Sequence, residues 1–344
     1  MTTITKTTYQ TILSRRETEF AIDFIKTEFP KVLSQKINLF KISCPIAIMD
    51  GTGINDDLNG IERPVSFPIK NQNDDSAVVV HSLAKWKRWT LSELNFPIGE
   101  GIITDMRALR PDEDYSPIHS LYVDQWDWEK SIAAKDRNLN FLKNTVRQIY
   151  SAIKTIELAL FEIFPSITPT LPESIHFMHA EELLQLYPGM TPKEREFQAA
   201  KTYGAVFLMG IGGKLSNGEP HDGRAPDYDD WSSANEDGYF GLNGDILVWN
   251  PELENSFEIS SMGVRVDTKS LENQLKIAQA EDRKKLLFHK SLLEGKLTES
   301  IGGGIGQSRL CMFLLKKVHI GDVQSGIWPK EVISECKENG IDLI

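Results

Sequence analysis

The sequence predicts an α+β fold, a mostly antiparallel β-sheet flanked by helices. Three observations lead there. Strand-like segments cluster, and late in the chain they pair as hairpins. The strict strand–helix–strand alternation that marks a parallel sheet is missing. One long amphipathic helix stands among them: Leu142, Val146, Ile149, Ile153, Ile156 and Leu160 recur at steps of four and three, a single stripe over residues 140–164.

In chain order, residues 8–35 read as a helix with Pro30 as a break or kink. A short strand at 39–44 runs into Pro45, and the polar, glycine-rich stretch 50–60 (DGTGINDDLNG) reads as a loop. Residues 77–83 (AVVVHSL) form a buried strand. Residues 120–128 alternate, with Leu121 and Val123 facing one way and Tyr122 and Asp124 the other. More strands are expected at 174–179, 205–210, 245–249 and 257–266, and more helices at 270–294 and 306–317. No repeat, low-complexity stretch or linker divides the chain. A single domain is expected: the helix at 8–35, a core over 36–330 and a short tail at 331–344.

Composition narrows the functions. At 344 residues the chain buries a large core without staples. Acids outnumber bases 49 to 38, a net charge of −11, which counts against nucleic acid as a partner. Cys44, Cys311 and Cys336 are far apart and form no C-x-x-C pair. That excludes a disulfide framework and a cysteine zinc site, and suits a reducing compartment. No apolar run nears the roughly 18 residues of a membrane span, and the first residues lack an apolar signal core. A cytoplasmic protein without membrane contact is expected.

Several familiar signals fail. Gly210–Lys214 lacks the spacing of a phosphate loop, with Leu215 where a metal-binding hydroxyl belongs. Gln307 occupies the third glycine position of a dinucleotide fingerprint. His176 and His179 fall on opposite faces of a strand, and no H-E-x-x-H or G-x-S-x-G is present.

Three segments carry chemistry. In ALRPDEDYSPIHSLYVDQWDW (108–128), Arg110 ends an apolar segment and precedes three acids, and the strand after the turn holds Asp124, Gln125 and Asp127. An arginine fork grips phosphate and carboxylates hold Mg²⁺ or an amine, although the same residues also make a hairpin with a solvated acidic turn. In SIGGGIGQSRLCMFLL (300–315), a glycine run precedes a helix whose first turn holds Arg309. A cation gains nothing from the dipole there, so either an anionic ligand or a tight turn with a surface arginine explains it. In GDILVWNPELENSFEISSMGVRV (244–266), Asp245 starts one strand of a hairpin and Glu258 and Ser261 lie on the other. Those acids suit a hard-cation site or a charged strand edge.

Together these segments resemble the catalytic core of class II aminoacyl-tRNA synthetases. There, one arginine beginning a hairpin grips the ATP α-phosphate, the place of Arg110, and a second after a glycine strand grips the γ-phosphate, the place of Arg309. The helix and strand ending at Pro45 resemble the dimer-interface motif of that class. Ser308 departs from it, because synthetases usually carry an acid there.

The strings VVHSLAKWKR (79–88), RPDED (110–114), YVDQWDWE (122–129), RAPDYDDWS (224–232), GLNGDILVWNP (241–251) and SSMG (260–263) are similar to those of the ammonia-dependent asparagine synthetase family, over residues 18–329. The resemblance implies one catalytic domain that activates L-aspartate with ATP as β-aspartyl-AMP, releases pyrophosphate, and transfers the aspartyl group to ammonia. It implies Mg²⁺ and a homodimer. It places Ser82, Lys87, Asp124, Gln125 and Asp127 around the aspartate, with Lys87 for a carboxylate and Gln125 or an acid for the ammonium. Asp56 would hold NH₄⁺ or take its proton. Asp229, Asp245, Ser260 and Ser261 would line the same site, with Asp245 and Glu258 as ATP and magnesium ligands. Amidotransfer from glutamine needs a nucleophilic cysteine. Position 2 is Thr2 and no cysteine has a histidine nearby in sequence, which favours free ammonia.

Overall fold

The computed structural model describes residues 9–56 and 62–344. The expected starts at 1–8 and the end of the loop at 57–60 lie outside them. Helix α1 (Arg15–Ile37) begins at a capping box, in which Ser14 and Glu17 exchange hydrogen bonds. It does not break at Pro30, which is buried inside it. Packing of Ile25, Phe29 and Leu33, all fully buried, outweighs the one lost backbone bond.

Strands β1 (Leu39–Lys41), β2 (Ala47–Met49), β3 (Ser66–Ile69) and β4 (Asp75–Val79) follow, and then α2 (Ala84–Glu93). β5 (Gly101–Leu109) and β6 (Tyr122–Ser131) make a long hairpin that leads into α3 (Leu139–Ile163), the predicted stripe helix. Next come β7 (His176–His179), α4 (Ala180–Leu186), α5 (Pro192–Tyr203), β8 (Ala205–Met209), β9 (Asn243–Asn250) and β10 (Asn255–Val264). The chain ends with α6 (Thr268–Ile277), α7 (Leu287–Leu293), β11 (Ser300–Gly306), α8 (Gln307–Leu314) and α9 (Lys330–Glu338).

The main sheet has eight strands in the order β1-β5-β6-β11-β10-β9-β8-β7. Its central pairs are antiparallel, and only the outer pairs β1–β5 and β7–β8 are parallel. β2, β4 and β3 form a small separate sheet. One face of the main sheet packs on α1, α3 and α8 through a core that includes Trp126, Trp128, Ile149, Phe257 and Phe313. The other face is polar at its centre, while toward β7 and β8 it packs on α4 and α5 through Met178, Val206, Leu208 and Leu247.

Three expectations need correction. Residues 270–294 are not one helix: α6 ends near Gln279, whose φ is 54°, a 3₁₀ turn spans Glu281–Lys285, and α7 follows. The break delivers Arg283 and His289 to a buried carboxylate, Asp227. Of the two readings of the glycine run, the tight turn falls: it is the strand β11, as the resemblance implied, and none of its glycines has positive φ. The tail contains α9, whose Cys336 packs with Val318 and Ile341. Seven elements gave no clear signal in sequence: β2, β3, β5, α2, α4, α5 and α9.

Asp227 is fully buried and accepts hydrogen bonds from Lys85 Nζ (3.1 Å) and Arg283 Nη1 (3.1 Å), with His289 Nε2 at 2.9 Å. Burial alone would raise its pKa, but Lys85, then His289 and Arg283, hold it far below the usual range. A carboxyl depressed by folding stabilises at neutral pH and loses that contribution as pH falls below its unfolded value, about 3.9. Asp227→Asn is expected to cost about 3 kcal/mol at pH 7 in urea melts. The loss should shrink on acidification, and a variant of undiminished stability would contradict the reading.

Candidate active site

The polar face of the sheet carries a cleft of ≈ 740 Å³. Strand register builds its floor. Asp127 on β6, Gly304 on β11, Ser261 on β10 and Asp245 on β9 stand side by side across four strands. Cross-strand partners share a face, so this is one row of side chains with a gap at the glycine. The gap is filled by the Gln125 carboxamide, whose Oε1 would lie 2.5 Å from a Cβ on Gly304.

The next row follows the same logic. Glu129 pairs with Gly302, and a Cβ there would fall 1.8 Å from Glu129 Oε2 and 2.5 Å from Arg265 Nη2. The bare backbone lets the Glu129–Arg265 pair lie flat on the strand. Arg265 donates from Nε (3.0 Å) and Nη2 (2.7 Å) to Glu129, and from Nη1 to Asp229. Ser300 Oγ adds a bond to Glu129 at 2.7 Å. Burial would raise the Glu129 pKa, but Arg265 beside it keeps it below the usual range.

Helix α2 enters from one side. Ser82 Oγ accepts from Ala84 N at 3.1 Å, satisfying a free N–H at the helix start. Lys87 is buried and donates to Asp127 Oδ1 and to Gly303 O (2.7 Å). Burial pulls the Lys87 pKa down, against the pull of Asp127. The other oxygen of Asp127 is buried with no hydrogen-bond partner.

Arginines line the opposite end. Arg110 leaves β5 with Nη2 donating to His81 O at 3.2 Å, and its closest carboxylate among the described residues, Glu113, is 3.9 Å away. Arg309 stands in the first turn of α8, where Nη2 donates to His119 Nε2 at 2.9 Å and Nη1 to Glu258 O at 3.3 Å. Burial, with Arg309, Arg110 and Lys193 nearby, pulls His119 down to about 4, so the imidazole is a neutral acceptor. Arg224 donates to Ser261 Oγ and, at 2.6 Å, to Asp245 Oδ1.

The sequence reading named Asp56, Ser82, Lys87, Arg110, Asp124, Gln125, Asp127, Asp229, Asp245, Glu258, Ser260, Ser261 and Arg309. All but Asp245 line this cleft. Asp245 sits behind Arg224 and orients it. Burial, opposed by Arg224 and reinforced by Glu258, lifts the Asp245 carboxyl to about 6. Asp56 is buried, and with burial its charge pushes the Tyr228 hydroxyl well up. Both carboxylate oxygens of Asp124 are engaged, by Lys26 Nζ (2.8 Å) and Ser308 N (2.9 Å), so it caps α8. Ser260 Oγ donates to Gly304 O at 2.9 Å. Among the described residues no cluster of three or more His, Cys, Asp or Glu is placed to hold a metal.

Sequence reasoning missed Arg224, Arg265, Glu129 and His119. Each lies inside or beside a string already singled out, but nothing local marks a residue whose partners are about 20 to 190 positions away. His176 and His179 stay apart in role: one stacks on Tyr203 at 3.8 Å, and the other caps α4.

The likeness to known proteins agrees with this geometry. A family model described as aspartate-ammonia ligase matches residues 16–340. An aspartate–ammonia ligase of Parabacteroides distasonis is 55% identical over 98% of this chain and 97% of its own length. One from Clostridium perfringens is 53% identical over the same shares. Among solved structures, asparaginyl-tRNA synthetase from Pyrococcus horikoshii complexed with asparaginyl-adenylate superposes with a TM-score of 0.65 at 14% identity, over 91% of this chain and 70% of that one. The Entamoeba histolytica enzyme gives 0.64 at 14% identity over 90% of this chain, which spans 66% of its length. These structural matches show the class II synthetase fold. The chain belongs to the aspartate–ammonia ligase family.

Proposed function

We propose that the protein is an ATP-dependent ligase that makes L-asparagine from L-aspartate and ammonia. The β-carboxylate of aspartate attacks the α-phosphorus of ATP, the bond to pyrophosphate breaks, and β-aspartyl-AMP forms. Ammonia then attacks the activated carbonyl, a proton is lost, and AMP leaves. Family membership supports the reaction class. The observation that carries it to these residues is the unequal pairing of cations. Lys87, Arg224 and Arg265 each have a close carboxylate, whereas among the described residues Arg110 and Arg309 have none nearer than 3.9 Å. The two undercompensated guanidiniums suit the α- and γ-phosphates.

Lys87 and Gln125 are assigned to the aspartate, its carboxylate and ammonium respectively, with Ser82, Asp127, Asp229, Ser260 and Ser261 completing the pocket. Asp124 helps by holding α8. Asp56 faces the incoming ammonia, as binder of NH₄⁺ or acceptor of its proton. Ile118, Val123 and Ile259 give the cleft an apolar wall that suits a purine base. Of the two acids expected for Mg²⁺, Glu258 lines the cleft whereas Asp245 is turned to Arg224, so Glu258 is the one that would hold the ion. The ion would supply further charge neutralisation on the phosphates.

Free ammonia as donor is supported by the cysteines. Burial raises the pKa of Cys44, that of Cys311 to about 12 and that of Cys336 to about 11, so none is poised as a thiolate. A homodimer through α1 and β1 is supported by exposed Phe20 and Phe40, the latter 5.6 Å from the ring of Phe96. No helix among the described residues is long and apolar enough to cross a membrane, and the chain is acidic. The proposal is completed by a cytoplasmic location, one catalytic domain and no tRNA partner.

The direct test is incubation with ATP, Mg²⁺, aspartate and NH₄Cl. Asparagine, AMP and pyrophosphate are expected in equal amounts, and ADP with phosphate would overturn the proposal. Ammonia-free glutamine should give no asparagine. Arg110→Ala and Arg309→Ala should each lower AMP formation about a thousandfold or more. Near-normal turnover by either folded variant would refute its assignment. Asp245 must be ionised to hold Arg224, so aspartate-dependent ATP–pyrophosphate exchange should fall as pH drops through about 6. Asp245→Asn should be slower and should lack that acid limb; an unchanged limb would assign it to another group.

A further inference from the structure

The segment after α8 belongs to none of the motifs, yet one of its side chains enters the cleft. Gln324 is 4% exposed and lines the cleft wall. Its carboxamide joins two elements. Ser120 Oγ lies within hydrogen-bond reach of its Oε1, and its Nε2 donates to Ser308 Oγ at 3.0 Å. Ser120 closes the loop that Arg110 opens, and Ser308 immediately precedes Arg309.

The same segment grips that loop at two more points. Ile320 N donates to Pro117 O at 2.7 Å, and Tyr115 OH donates to Ile327 O at 2.9 Å with its ring edge-on to Trp328. His119, which accepts from Arg309, lies between these anchors. The turn at Gly321 is itself pressed in place. Ile344 N donates to Gly321 O at 2.8 Å, and a Cβ at Gly321 would fall 2.6 Å from Leu343 Cδ2.

We propose that Gln324 is a positioning residue for the nucleotide end of the cleft. It fixes the spacing between the Arg110 loop and the Arg309 helix, so that both guanidiniums meet one polyphosphate. The chemistry favours an amide at this place. One group must accept from one hydroxyl and donate to another, and it must be neutral beside a polyanion. A glutamate would add negative charge there. A methionine would leave the buried Ser308 hydroxyl without its donor and would release Ser120 to Tyr122 O alone, at 2.8 Å.

The inference rests on the ligase reading, and its test separates the two. Gln324→Met, Ser120→Ala and Ser308→Ala are compared with the unaltered enzyme, varying ATP, aspartate and NH₄⁺ in turn. In each variant KM for ATP is expected to rise about tenfold, with KM for aspartate and NH₄⁺ changed by less than about twofold. The Gln324→Met/Ser308→Ala double variant should be no worse than Gln324→Met alone, because the two share one interaction. Equal rises in all three KM values, an unchanged KM for ATP, or additive losses would overturn the proposal. If Gln324→Met does not fold, the two serine variants decide by the same criteria. If the unaltered enzyme makes no asparagine, the ligase reading fails first. The stabilisation of the melting temperature by ATP, smaller in the variants if Gln324 positions the arginines, then still decides its role.

Discussion

The site depends on a buried ion pair laid flat on a strand. Arg265 and Glu129 are almost wholly inaccessible, and two charges in that position are tolerable only if their hydrogen bonds are nearly all made. Here they are: Arg265 spends Nε and Nη2 on Glu129 and Nη1 on Asp229, and Ser300 reaches the same carboxylate. The pair needs space that a side chain at 302 would fill, so β11 must have glycine there. The glycine run serves close packing on both sides of the strand. Gly303 faces Met262 in the core, whereas Gly302 and Gly304 face polar side chains of the cleft. A segment that looks pliable in sequence is thereby held by close contacts on both of its faces.

From that pair, order spreads to the loop over the cleft. The string RAPDYDDWS has three acids, and each is fixed by a base from a different element. Asp227 takes Lys85 and Arg283, Asp229 takes Arg265, and Asp230 takes Arg137 at 2.7 Å. Gln274 of α6 secures the backbone by donating to Pro226 O (2.9 Å) and Asp229 O (3.0 Å). An irregular loop thus holds Arg224 against Ser261 and Asp245 with the definition of a strand. Because its charges are buried and paired, breaking one contact leaves a bare charge, and the loop should respond as a unit.

The legible parts of the chain were those with local pattern. The stripe of α3 was readable to within one residue at each end, because burial of one helical face imposes its period on the sequence. Strands β8, β9 and β10 were readable because they are apolar and bounded by turn residues. α2 was not, because Lys85, Lys87 and Arg88 occupy its buried face and invert the expected pattern. Their burial is explained only by Asp227, Asp127 and three carbonyl oxygens that come from distant strands and loops. The same limit hid Gln324 and Arg265. Resemblance to a family supplied location for twelve cleft residues, but the division of labour among them shows only in the folded chain: Asp124 lines the cleft while one of its oxygens caps α8 and the other takes Lys26 of α1.

Charge gives the last step. The net charge of −11 describes a surface that repels polyanions, yet the proposed substrate carries a polyphosphate. The conflict resolves locally. Deep in the cleft, Lys87, Arg224 and Arg265 are matched by Asp127, Asp245, Glu129 and Asp229, so that region is close to neutral and suits a zwitterionic amino acid. Toward the rim, Arg110 and Arg309 stand 3.9 Å from their closest carboxylates among the described residues, and His119 between them is held neutral and adds no charge. Attraction for an anion is thus confined to two guanidiniums whose separation the protein sets through Ser120, Gln324 and Ser308. On a chain of net charge −11, a short cationic rim of this kind would meet the proposed polyphosphate at one place.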